Sequence, residues 1–300
     1  MKRHAAAAVC ALACALVLPA GAAGEDPVYL GWPDALPAVP GSYSPSTEED
    51  CLKGRTNCVD AVIKEMIRRF EPLASSCHHD AIFSLAYLRT TEEYRRTIED
   101  PYFFEDTSFV NHEDVIFAEY YFRAHDLWNS ARRSETPPAW AHAFDAAARQ
   151  EVSGTGNLVL GMNAHIQRDL PFALASIGMT KPDGSTRKTD HDRVNIFLNR
   201  IPDELIPEIA RRFDPTADDG DLPTTVDDIA SFQVVPAWRE TAWRNAERLV
   251  AAATPERRAL VAADIEAYAA SQAALLRTAT AYGPTRSSAA RDAHCAANHG

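Results

Sequence analysis

The most apolar stretch beyond the N-terminal region runs from Asn157 to Leu174, NLVLGMNAHIQRDLPFAL, yet Asn163, His165, Arg168 and Asp169 sit in its middle. At helical spacing His165 and Asp169 are i and i+4 and share a face, and Asn163 and Gln167 form a second such pair beside them. An unpaired buried polar group costs roughly 1–3 kcal/mol, so the pattern predicts partners for each. Pro171 removes a backbone donor and frees the carbonyl of Gln167, which predicts a kink next to the polar cluster.

The rest of the chain reads as helices around this one. Val59, Val62, Ile63, Met66, Ile67 and Phe70 make an amphipathic stripe that should end at Pro72, with Ser46 or Thr47 as an upstream cap. Further helices are predicted from about His79 to Ile98, from about Glu113 to Trp128, and from Pro137-Pro138 through Ala147. Lys181 to Thr189 reads as a loop, with a helix from about Asp190 after it. Pro202 and Pro207 each start a new turn. The aspartate-rich segment Asp214 to Asp228 reads as a solvated loop. Two long helices remain, about Val226–Ala253 and Pro255–Thr280. Thr254 caps the second, Pro255 takes its first position and Glu256 its first turn. Alternating runs bounded by turn residues are missing, so no strand is expected. The expectation is all-α: one domain of about eight helices over 47–282. An extended proline-rich arm (24–46) precedes it, and a polar tail (283–300), loose except at Cys295, follows.

Residues 1–23 alter this picture. Lys2, Arg3 and His4, a short apolar run and the small residues Ala20 to Ala23 read as a secretory signal peptide cleaved near residue 23. The run is too short to span a bilayer, no later run of spanning length is expected, and stable membrane insertion is not predicted. The expectation is a secreted, extracellular protein. Its four remaining cysteines then favour disulfides, read as Cys51–Cys58 and Cys77–Cys295; a zinc site is the alternative, but no C-x-x-C spacing supports it. Loss of Lys2 and Arg3 takes the net charge from −12 to −14, which argues against binding a nucleic-acid backbone.

Five polar clusters could carry chemistry: His165 with Asp169 and Asn163; Asp190-His191-Asp192 with Asn195 and Asn199; Trp140-Ala141-His142 with Asp145; Asn111-His112-Glu113-Asp114, opening the aromatic helix; and His78-His79-Asp80 beside Cys77. A histidine and a carboxylate one turn apart is a common way for helices to present metal ligands. Each pair could equally be a helix cap or a surface pair. No G-x-S-x-G, H-E-x-x-H or P-loop occurs, and the aspartates fit no calcium loop.

GMNAHIQRDLPFAL (161–174) resembles the G-[MI]-N-A-H-I-x-x-D-L core of a domain-of-unknown-function family of helical bacterial proteins, often actinobacterial. The resemblance extends to HHDAIFSLAYLRTTEEY from His78, to the segment around Trp140, and to DHDRVNIFLNR from Asp190. It implies one helical domain and no assigned activity. His165, Asp169 and Pro171 are also similar to the H-x-x-x-D helix of zinc-dependent phospholipase C and related single-strand nucleases. Those enzymes carry a later H-x-x-x-E where this chain has His191 and Asn195, and an N-terminal tryptophan that has no counterpart at the expected cleavage point.

The sequence thus points to an exported metal-dependent hydrolase of phosphoesters. His165, Asp169 and His191 would hold a divalent ion, zinc first, with Asp192, His142 or His112 completing the shell. Catalysis would rest on His165, Asp169, His191 and Asp192. Asn163, Asn195, His112, His142 and Asp145 would orient ligands or substrate. The alternative is an exported, non-enzymatic binding protein whose His/Asp/Asn cluster is a buried structural network.

Overall fold

The computed structural model describes residues 53, 55–218, 234–283 and 287–299. The proposed signal peptide, the arm, Cys51 and the cap at Ser46 or Thr47 lie outside the described residues. The fold is all-α as expected, with no strand among the described residues and only two isolated bridges, Val152 with Ala281 and Thr180 with Thr186.

A central rod organises the packing. It comprises α5 (Gly154–Asn163), a π-helical turn (Ala164–Asp169) and α6 (Leu170–Ile177). Every residue from Gly154 to Ala175 is buried except Ile166, as expected of a helix that is apolar all round. The irregularity predicted beside Pro171 takes the form of the π turn just before it. Around the rod stand α2 (Ala81–Thr97), α3 (Thr107–Trp128), α4 (Pro138–Ala148), α9 (Val234–Ala251) and α10 (Pro255–Ala279). The N-terminus of the rod is closed by two side chains: Ser153 Oγ accepts from Gly156 N at 3.1 Å, and Asp214 Oδ2 accepts from Gly154 N at 2.7 Å. Asp214 is 2% exposed, so the start of the aspartate-rich segment is a buried cap and not solvated loop. Residues 219–233 lie outside the described residues.

Several boundaries depart from expectation for local reasons. α1 (Asn57–Ser75) runs through Pro72 rather than stopping there, because a proline in the last turn removes a single backbone bond. Ile67 on its predicted stripe is exposed. α3 begins six residues earlier than its aromatic pattern suggested. Asp106 caps it, accepting from Phe109 N at 3.0 Å, and Asp190 accepts from the backbone N–H groups of Glu105 and Asp106 at 2.7 and 2.8 Å. The Asn111–Asp114 cluster therefore lies within α3 and does not open it. The cap at Thr254 is as read: its Oγ1 accepts from Arg257 N. α10 is, by length and composition, apolar enough to cross a membrane, contrary to the expectation that no later run would be. Its inner face (Ile265, Ala269, Ala273) packs on the bundle.

The described part of the tail is not loose. α11 (Ala289–Asn298) docks through the Cys77–Cys295 disulfide, the His79–Asp292 pair at 3.0 Å and Arg291, which donates to the Cys77 carbonyl at 2.6 Å. Cys58 is fully buried and disulfide-bonded; the other half of the proposed Cys51–Cys58 pair falls outside the described residues.

Candidate functional site

The His165–Asp169 pair exists as the spacing predicted, with His165 Nδ1 3.0 Å from Asp169 Oδ2. Asp169 is fully buried and accepts two more bonds, from Trp140 Nε1 at 2.8 Å and Arg168 Nη1 at 2.8 Å. Arg168 is held in turn by Glu266 at 2.7 Å. An indole N–H and a guanidinium can only donate, so this pattern assigns the proton between His165 and Asp169 to Nδ1. The imidazole is clamped as well. It stacks on Phe117 with centroids 3.5 Å apart and planes at 7°, and meets the edge of Tyr87 at 4.4 Å. Burial pushes the His165 pKa down despite the opposing pull of Asp169, so the ring is neutral near pH 7. Its Nε2 is buried and has no partner among the described residues.

His165 lines a pocket of about 110 Å³ between α2, α3, α7 (Lys188–Leu198), α9 and the rod. Most of the wall is apolar, from residues such as Phe83, Phe117, Met162, Val194 and Phe197. Four other lining residues also leave a buried polar atom without a partner among the described residues: Tyr87 Oη, Glu113 Oε2, Asp114 Oδ2 and Arg239 Nε. Burial, with Glu113 beside it, pushes the Asp114 carboxyl up to about 8, so that it is protonated at neutral pH. Burial and the nearby acidic groups, Asp114 and Asp169 first among them, raise the Tyr87 phenol well above its usual value.

The remaining predicted residues do not join this group. His191 is buried with both ring nitrogens engaged by Arg239: Nε2 donates to its carbonyl at 3.1 Å and Nδ1 accepts from Nη2 at 3.2 Å. Asp192 is exposed and paired with Lys188 at 2.5 Å. Asn163 donates to the Ala269 carbonyl at 2.9 Å, on the α10 side of the rod, and does not pair with Gln167. Asp145 bridges Arg149 and Arg277 at 3.0 and 2.8 Å, and neighbouring His142, with its pKa lowered by burial and Arg277, lies outside the pocket. His112 is half-buried, its pKa lowered by burial and Arg187; neither it nor Asn195 lines the pocket. Asp190 serves as the backbone anchor of α3. A shell of His165, Asp169, His191 and Asp192 therefore does not fit a metal: the oxygens of Asp169 and the nitrogens of His191 are committed, and Asp192 faces solvent. No group of three or more His, Cys, Asp or Glu side chains among the described residues is arranged to hold one.

Tyr87 and Arg239 were not anticipated. Arg239 carries no local signal, since it sits in an ordinary amphipathic turn. The adjacent acids Glu113 and Asp114, inside an aromatic-rich helix, were the available clue to the opposite wall.

The family model described as "Family of unknown function (DUF5995)" matches residues 59–279. The chain belongs to this family. The matched region of DUF5995 takes in the central rod, the His165–Asp169 pair and every wall of the pocket. No curated protein and no solved structure matches the chain significantly.

Proposed function

We propose that this DUF5995 protein binds a small, uncharged, largely apolar molecule in the pocket beside His165, and that it works outside the cytoplasm, where the leader expected at residues 1–23 would send it. The observation that supports this is that Tyr87, Glu113, Asp114, His165 and Arg239 line one largely apolar pocket and each has a buried polar atom without a partner among the described residues. Each such atom costs roughly 1–3 kcal/mol when left bare, and a ligand hydroxyl or carbonyl offsets that cost. The charge pattern selects for neutrality. Asp114 is protonated and His165 is neutral near pH 7, and one acid, Glu113, stands against one guanidinium, Arg239. A phosphoester fits poorly, because its permanent anion would face Glu113 and meet a single guanidinium whose Nη2 is already bonded to His191, leaving Nε as its unpartnered donor. The volume suits an aromatic ring or a short alkyl chain; an engineered apolar cavity of about 150 Å³ takes benzene.

Phenol tests the reading. Millimolar phenol should raise the melting temperature by mass action, and phenyl phosphate should not. Val194→Phe, which fills the pocket, should abolish the phenol effect. A phenol response equal in wild type and V194F, or none in wild type, would remove the pocket as the binding site.

A further inference from the structure

We infer that His165 is a general base that activates a water molecule against a small carboxylic ester bound in the pocket, which makes the protein an esterase; this rests on the binding reading above.

The argument begins with the tautomer. Asp169 takes three donors and holds the proton of His165 on Nδ1, which leaves a lone pair on Nε2. That nitrogen is buried, belongs to a pocket-lining residue and has no partner among the described residues. His191, outside the pocket, instead spends both nitrogens on Arg239. The backbone beneath the pair is the π turn Ala164–Asp169, a rare register that is frequent at functional sites. The stack on Phe117 and the edge of Tyr87 hold the ring in one orientation.

The same pocket offers donors for an ester carbonyl. Tyr87 Oη and Arg239 Nε are both unpartnered among the described residues, and the surrounding wall suits a short acyl chain. The step balances with water alone. His165 Nε2 takes a proton from water as the water oxygen bonds to the carbonyl carbon. The carbonyl oxygen becomes an oxyanion, held by Tyr87 and Arg239. Its collapse breaks the bond to the alkoxide, which takes the proton back from His165 Nε2, leaving an acid and an alcohol. Asp169 acts through His165 and is a positioning residue.

The test follows the full-length protein on ethyl butyrate by pH-stat, an unactivated ester that incidental surface groups do not hydrolyse quickly. Wild type should turn over. His165→Gln should lose about 100-fold or more in kcat, in line with general-base contributions. Tyr87→Phe removes only a hydroxyl, and should lower kcat at least tenfold with the fold intact, which keeps the inference open to refutation if His165→Gln does not fold. The wild-type rate should rise with pH through one ionisation below 6.5, the usual histidine value. The groups facing His165 or lining its pocket that bear on the pH profile are Asp169 on the rod, Tyr87 on α2, Tyr121, Glu113 and Asp114 on α3, and Arg239 on α9; Asp114, raised to about 8, ionises only above this limb. Asp169→Asn should shift or erase the limb, a change that a merely structural role would not produce. No turnover in a wild type that still binds phenol overturns the esterase and leaves the pocket reading standing. Undiminished rates in H165Q or Y87F overturn it as well. Turnover that depends on His165 without any phenol binding counts against the pocket reading alone.

Discussion

The side chain that most changes how this site behaves with pH is Asp114. Its carboxyl titrates near 8 in the folded protein and near 3.9 in an unfolded chain. A folded pKa raised in this way contributes stability that is complete below about pH 4 and lost as pH rises toward 8. Asp80, raised to about 8 by burial, acts in the same direction. Buried histidines with lowered pKa values, His79 and His165 among them, act the other way between pH 5 and 7, so the effect of Asp114 is read from its own variant in urea unfolding. Asp114→Asn should gain about 2 kcal/mol at pH 8, a figure below the full linkage value because the residue is half-buried, and little at pH 4. An equal gain at both pH values would mean that the carboxyl is not held neutral.

At the level of elements, the close approach of the rod to α2 makes the pocket. Gly161 permits it: a Cβ there would stand 2.3 Å from ring atoms of Phe83, itself a pocket wall. Gly161→Ala should cost about 1–3 kcal/mol through overpacking and should also weaken phenol binding, because Phe83 must shift. Thermal melts and phenol titration of the same variant would show whether the two losses go together. The helices were legible from the sequence, α1, α2 and α4 from apolar spacing and α10 from its cap at Thr254, because both signals depend on each helix's own residues. The start of α3 was not legible. It is set by Asp106 together with Asp190, a carboxylate more than eighty residues further along the chain.

For the whole molecule, the C-terminal helix is fastened across the fold. Cys77 and Cys295 are 218 residues apart, so the chain-entropy view assigns the bridge about 5 kcal/mol. Buried Arg291 and His79, with half-buried Asp292, make the same junction polar. The double variant Cys77→Ala, Cys295→Ala should lose about 3–5 kcal/mol in urea, with α11 amides exchanging faster than those of the rod. Protection of α11 equal to that of the rod in the variant would show that the polar contacts alone dock the tail.

The sequence by itself determined that the chain is helical, that its rod is buried, that His165 and Asp169 meet one turn apart, and that Cys77 pairs with Cys295. The first three follow from period and composition, which are properties of short windows. The cysteine pair emerged by elimination among few candidates. Tertiary structure decided which polar groups share a space. His191, Asp192 and Asn163 lie close to His165 in helical pattern or in apparent chemistry, yet each turns to another partner: Arg239, Lys188 and the Ala269 carbonyl. Tyr87, Asp114 and Arg239 come from three separate helices to the pocket that His165 lines. The direction in which a buried side chain points depends on how helices distant in sequence pack against one another, and no local pattern encodes that packing.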